Sequence, residues 1–102
     1  MPRRGTLYDP ETHELVARIE HGGISAGRDA DSVVLYRAEF YVLEEIQPFV
    51  ALLKQGLAWV QLAGGLEGLA RLVDIEVRPG CLIQGRLQSL GAWQVRLAPA
   101  TL

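Results

Sequence analysis

Residues 33–43, VVLYRAEFYVL, decide the fold class, because their side chains alternate with the two-residue period of a β-strand. One face of this strand is apolar or aromatic throughout and consists of Val34, Tyr36, Ala38, Phe40 and Val42. The opposite face is mixed and includes Leu35, Tyr41 and Leu43 beside charged residues. A strand with apolar side chains on both faces is central in its sheet or partly covered. We therefore predict that Leu35, Tyr41 and Leu43 form an interface.

The segments on either side of this strand also have strand patterns. Upstream, residues 14–20 alternate and form a hairpin with residues 6–8. Downstream, strands are predicted at residues 57–63, 69–77, 82–88 and 92–97, with turns that contain glycine or proline between them. Residues 66–71 fit either a helical turn or a strand, and residues 21–32 are predicted to be a polar loop.

One principal helix is predicted near residues 47–55. Pro48 suits the first helical position, where its missing N–H is not needed, and Gly56 suits the position just after the last turn. The apolar residues between them form a stripe that can pack on a sheet. The predicted fold is a single α+β domain over residues 1–102, with about six or seven antiparallel strands in a meander or a small curled barrel.

The composition excludes several classes of protein. The chain has 102 residues, 49% hydrophobic content and a net charge of −2, which excludes an intrinsically disordered chain and a bulk attraction to DNA or membranes. No apolar run approaches the ~20 residues of a membrane-spanning helix, and no hydrophobic segment follows the basic residues 1–4 as a signal peptide requires. Cys81 is the single cysteine, which favours a reducing, cytoplasmic location.

Two matches to catalytic motifs within residues 21–32 lack the structural context that the chemistry needs. Residues 23–27, GISAG, fit the G-x-S-x-G nucleophile motif, but a strand rather than a helix follows, and both histidines precede Ser25. Residues 22–29 have the glycine spacing of a phosphate-binding loop without its Lys and Ser/Thr. This loop does offer backbone N–H groups and Arg28, which can contact an anion or a partner.

The other titratable residues form no catalytic or metal-binding set in the sequence. His13 and His21 lie at opposite ends of one predicted strand, about 26 Å apart, so they cannot share a metal ion. Asp74 and Glu76 share one face of a strand, about 7 Å apart. Pairing with arginines such as Arg86 on nearby strands is the expected outcome for these two carboxylates. We therefore expect no catalytic residue, metal ion or cofactor.

The sequence thus favours a non-enzymatic binding or assembly module that forms a homo-oligomer or takes a protein partner, with no membrane association. The alternative is a single-stranded nucleic-acid-binding protein, because the outer faces of the last two predicted strands carry Gln and Arg without acids, near aromatic platforms. The candidate contacts for an anion or a nucleic acid are Arg28, Arg37, Trp59, Arg86 and Arg96. The negative net charge makes nucleic acid the less favoured partner.

Overall fold

The computed structural model describes residues 3–80 and 82–95, in which eight β-strands and one helix follow each other along the chain. The strands are β1 (Arg3–Tyr8), β2 (Leu15–His21), β3 (Ser25–Arg28), β4 (Val34–Glu45), β5 (Leu57–Gln61), β6 (Leu66–Arg78), β7 (Leu82–Ser89) and β8 (Gln94–Val95). The helix α1 (Val50–Gln55) connects β4 to β5. All strand pairs are antiparallel.

Six of these strands close into a barrel in the order β1-β5-β6-β7-β4-β2, because β2 pairs with both β1 and β4. The short strand β3 pairs with the first half of β4, and β8 pairs with the start of β6. The prediction of an α+β domain built as a small curled barrel is confirmed.

Apolar side chains from all six barrel strands fill the interior. They include Leu7, Ile19, Phe40, Val60, Leu72 and Leu87. The helix α1 closes one end of the barrel with Phe49 and Leu52, which are buried in the same core. The rings of Phe40 and Phe49 lie with their centroids 6.4 Å apart. Six residues of helix cannot form alone in water, so this packing is what stabilises α1.

Local chemistry sets both ends of α1. Pro48 lies just before the N-cap residue Phe49 rather than at the predicted first helical position, and the N–H of Phe49 donates a hydrogen bond of 3.0 Å to the Glu45 carboxylate. At the other end, Gly56 adopts a φ of +69°, and its N–H donates to the Leu52 carbonyl at 2.8 Å. Glycine is favoured at such a left-handed position because it has no Cβ. Within the described residues, no helix is long and apolar enough to cross a membrane.

The opposite end of the barrel is covered by Trp93, which follows β7. Its ring stacks on Tyr36 with centroids 5.5 Å apart, and its Nε1–H donates to the Leu69 carbonyl at 2.9 Å. The indole lies directly over Gly68, where a Cβ atom would overlap it. Trp93 is 5% exposed and therefore belongs to the core.

The structure differs from the sequence prediction within the loop 21–32 and decides the open assignment of residues 66–71. The strand β3 lies inside the predicted loop 21–32, and its four side chains are all exposed, so no alternation marks it in the sequence. It forms because the first half of β4 extends beyond β2 and offers an open edge. Residues 66–71 belong to β6 and are not helical. Of the last predicted strand only β8 is described, and Arg96, like Cys81, lies outside the described residues.

Candidate functional site

Two of the three predicted interface residues are exposed on the outer face of β4. Tyr41 is 37% exposed and lies in register between Glu20 of β2 and Gln84 of β7. Leu43 is 45% exposed and is the extra residue of a β-bulge, where β4 gains one residue relative to β2. Leu35 is half-buried near the start of the strand. Tyr41 and Leu43 therefore lie together, and Leu35 lies apart from them.

An acidic cleft of about 520 Å³ opens beside Tyr41, between β2, β4, β7 and β6. The charged residues of its lining are Glu20, Glu39, Asp74, Glu76 and Arg86. Asp74 has a φ of +52° and lies in a β-bulge of β6, at the point where the pairing with β7 shifts. Such bulges redirect side chains. Here four carboxylates surround one guanidinium group, so the cleft has an excess of negative charge.

Arg86 bridges carboxylates from the two strands that flank it. Its Nε lies 3.8 Å from Glu39 Oε1, and its Nη1 lies 3.6 Å from Asp74 Oδ2. The expected pairing of Asp74 with Arg86 is therefore present. All three side chains are largely exposed, so the ion pairs add little stability. The two ion pairs do neutralise Arg86. The outer face of β7, which carries Gln84, Arg86 and Gln88, is consequently flanked by acids from β4 and β6.

His21 forms part of the floor of the acidic cleft and is 4% exposed. Its Nδ1 lies 2.9 Å from the Gly22 carbonyl, and the N–H of Ala63 donates to its Nε2 at 3.1 Å. These partners assign the ring proton to Nδ1. Because the main chain occupies both ring nitrogens, His21 connects β2 to the segment after β5. It offers no nitrogen to a ligand or substrate.

The carboxylates of the acidic cleft also have protein partners. Glu76 lies 3.5 Å from the Arg78 guanidinium and accepts a hydrogen bond of 3.4 Å from Gln84. His21, Asp74 and Glu76 thus line one cleft, which is the arrangement that an acid–base enzyme would need. Each of the three has a hydrogen-bond or ion-pair partner within the chain.

The cleft perturbs the titration of Tyr41. A hydrogen bond to the Glu20 carboxylate raises the pKa of Tyr41, with further contributions from desolvation and from the negative charge of Glu20. We expect Glu20→Gln to lower the pKa of Tyr41 toward the ordinary tyrosine value of about 10. An ultraviolet absorbance titration of wild type and variant measures this shift.

The Tyr41→Phe variant identifies which of the three tyrosine transitions belongs to this residue. Glu39→Gln is the matched control, since it removes a carboxylate from the same cleft without removing the partner of Tyr41. A Tyr41 transition that stays in place in Glu20→Gln contradicts the assigned contact.

A basic groove of about 590 Å³ lies on the other side of Leu43, between β1, β2, β4 and β5. The charged residues of its lining are Arg4, Arg18 and Glu44, and Leu43 forms part of its wall. Arg18 Nε lies 3.9 Å from Glu44 Oε2, and within the described part of the chain no acid pairs with Arg4. The groove therefore has a small excess of positive charge.

The residues predicted to contact an anion or a nucleic acid are dispersed in the structure. Arg37 and Arg86 lie on the neighbouring strands β4 and β7. Arg28 ends β3, and its guanidinium donates to a carbonyl of the following turn at 2.9 Å. Trp59 is half-buried on the outer face of β5, and β6 separates it from β7. Arg96 lies outside the described residues.

Sequence reasoning missed Arg71, which is exposed on β6. Arg71 is in register with Gln88 of β7, and Gln88 is in register with Arg37 of β4, so the three form one row across three strands. The signal was hidden because residues 66–71 fit a helix or a strand equally well. Only the strand assignment places Arg71 on the outer face beside β7.

The structure does not place the residues of the two catalytic motif matches in a catalytic arrangement. Ser25 lies on the exposed strand β3, and its hydroxyl donates to the main-chain carbonyl of Arg37 at 3.4 Å. Across residues 3–80 and 82–95, no group of three or more His, Cys, Asp and Glu side chains is arranged to hold a metal ion. Comparison with family models, with curated protein sequences and with solved structures finds no match to this chain.

Proposed function

We propose that this protein is a non-enzymatic assembly module that forms a homodimer through the outer face of β2 and β4. The observation that carries the proposal is the position of Tyr41 and Leu43. These two exposed apolar side chains lie between the acidic cleft and the basic groove. An apolar centre with a charged rim is the common anatomy of a protein–protein interface.

A two-fold axis near Tyr41 and Leu43 makes this face complementary to itself. In an isologous dimer, each surface patch meets the same patch of the partner in the opposite orientation. The acidic cleft of each copy then faces the basic groove of the other copy. Burial of the apolar centre supplies affinity, and the opposite charges fix the orientation and speed the encounter. The single cysteine also suits work in a reducing compartment such as the cytoplasm.

Leu43→Glu is expected to convert the dimer to monomer. The substitution replaces an apolar side chain at the centre of the interface with a carboxylate, whose desolvation on dimer formation is costly. We expect the dimer dissociation constant to rise by roughly 30-fold or more, the effect of losing a central interface residue. Native mass spectrometry and sedimentation velocity over a concentration series measure the change.

Val77→Glu is the matched control for this experiment. Val77 is 65% exposed in the β6–β7 hairpin, so the same change in charge is introduced away from the β2/β4 face. Its dimer is expected to persist, whereas Arg4→Glu in the basic groove should weaken the dimer in a salt-dependent manner. A wild-type protein that stays monomeric at high micromolar concentration, or a Leu43→Glu protein that remains dimeric, overturns the proposal.

A further inference from the structure

Arg71, Gln88 and Arg37 form an arginine row across the outer face of β6, β7 and β4. Both arginines are exposed. One strand separates them, so their Cα atoms lie about 10 Å apart. Within the described residues, no carboxylate forms an ion pair with Arg37 or Arg71, in contrast to Arg18, Arg78 and Arg86.

An apolar row runs parallel to the arginine row. Trp59 of β5 is in register with Leu69 of β6, and the N–H of Leu90, just after β7, donates to the Leu69 carbonyl. These three residues lie two positions along their strands from Leu57, Arg71 and Gln88. The two rows are consequently about 7 Å apart on the same face. Leu90 is 36% exposed and Trp59 is half-buried.

We propose that the arginine row and the apolar row bind single-stranded nucleic acid. The nucleic-acid chain runs across the β-strands. Its phosphates contact Arg37 and Arg71, and its bases contact the apolar row, where Trp59 provides a ring for stacking. Guanidinium groups without a carboxylate partner suit phosphates. A neighbouring aromatic and apolar surface suits unpaired bases, because every base has a face that can stack.

Other ligands would contact only one of the two rows. A duplex keeps its base faces inside the stack, so it can use the arginine row and leaves the apolar row empty. A free phosphate also uses the arginines alone. The surface is distinct from the apolar centre of the proposed dimer face, because it lies on β5, β6, β7 and the first half of β4. Tyr41 and Leu43 lie in the second half of that strand.

Fluorescence anisotropy with a fluorescein-labelled single-stranded DNA of mixed sequence, at low ionic strength, tests the proposal. We expect the wild type to bind, and we expect the double variant Arg37→Ala/Arg71→Ala to bind about tenfold or more weakly. A plot of the logarithm of the association constant against the logarithm of the salt concentration has a negative slope. The magnitude of this slope should decrease by about 0.7 for each phosphate-contacting arginine that a variant lacks. Trp59→Ala is expected to weaken binding by roughly 5- to 100-fold, the usual effect of removing a stacking residue.

Arg78→Ala is the charge-matched control for each single variant, Arg37→Ala and Arg71→Ala, because it removes the same one charge from an arginine that already pairs with Glu76 at the far end of β6. Its affinity should stay within about twofold of the wild type. Trp59→Phe keeps a stacking ring and should retain most of the binding even if Trp59→Ala fails to fold. The Leu43→Glu protein should also bind, so a failure of the dimer proposal is distinguishable from a failure of this one.

Three results would overturn the inference. The first is a wild type that does not bind at low salt. The second is a loss of affinity in Arg78→Ala equal to the loss in the single variants Arg37→Ala and Arg71→Ala, since that indicates attraction by overall charge. The third is competition by duplex DNA or inorganic phosphate as strong as that by unlabelled single strand, because neither ligand uses the apolar row.

Discussion

Gly68→Ala is expected to lower the free energy of unfolding by about 2–4 kcal/mol, because a methyl group at this position displaces Trp93 from the end of the barrel. The added Cβ would overlap the indole ring. If the ring moves, it loses its buried position, its stacking on Tyr36 and its hydrogen bond to the Leu69 carbonyl together. Urea unfolding monitored by circular dichroism measures the loss.

Tryptophan emission reports where the ring goes. In a Trp59→Phe background Trp93 is the single tryptophan, and its emission should shift to longer wavelength in Gly68→Ala as the ring becomes hydrated. Gly27→Ala is the matched control, since a Cβ added at this exposed glycine of β3 meets no atom within 4 Å. Equal stability and unchanged emission in Gly68→Ala contradict the packing described for Trp93.

His21→Phe is expected to destabilise the protein by about 1–3 kcal/mol, because it removes the side-chain partners of two main-chain groups at part-buried hydrogen bonds. The phenyl ring is somewhat larger than the imidazole and offers neither a donor to the Gly22 carbonyl nor an acceptor to the Ala63 N–H. A fully buried unpaired amide or carbonyl costs about 1–3 kcal/mol, and these two groups cost less because water can reach them in part. Urea unfolding gives the total effect, and hydrogen exchange of the Ala63 amide gives the local one.

Tyr8→Phe is the comparison for this variant. It removes one half-buried side-chain hydrogen bond, to Gln61, and leaves no main-chain group unpaired. A loss of about 1 kcal/mol or less is expected for it. If the Ala63 amide of His21→Phe remains as protected as in the wild type, the proposed connection between β2 and the segment after β5 is wrong.

Elements with a local signal could be predicted from the sequence. The alternation of residues 33–43 gives β4, and Pro48 and Gly56 bracket α1, because side-chain period and helix ends depend on neighbouring residues only. The exposure of Tyr41 and Leu43 follows from the same alternation. The strand β3 has no such pattern, since its residues are all exposed and its formation depends on an edge of β4.

The surroundings of the candidate sites depend on strand order, which one strand's pattern cannot give. Arg86 was predicted on a face without acids, and that holds along β7 itself. The carboxylates that pair with it, Glu39 and Asp74, come from the strands on either side. The row of Arg37 and Arg71 likewise exists only once β4, β7 and β6 are placed next to one another.

The closed barrel also sets how this chain reaches its folded state. Closure brings β1 beside β5, and the Tyr8 hydroxyl donates a hydrogen bond to the side chain of Gln61, which lies 53 positions away in the sequence. Pairing strands so distant in sequence requires a large loop to close before its contacts provide any stabilisation. Chains dominated by such pairings fold on the millisecond-to-second scale, far more slowly than helical bundles of the same length. During synthesis the β1–β2 hairpin therefore emerges with both of its outer edges unpaired, and it stays so until β4 and β5 have left the ribosome.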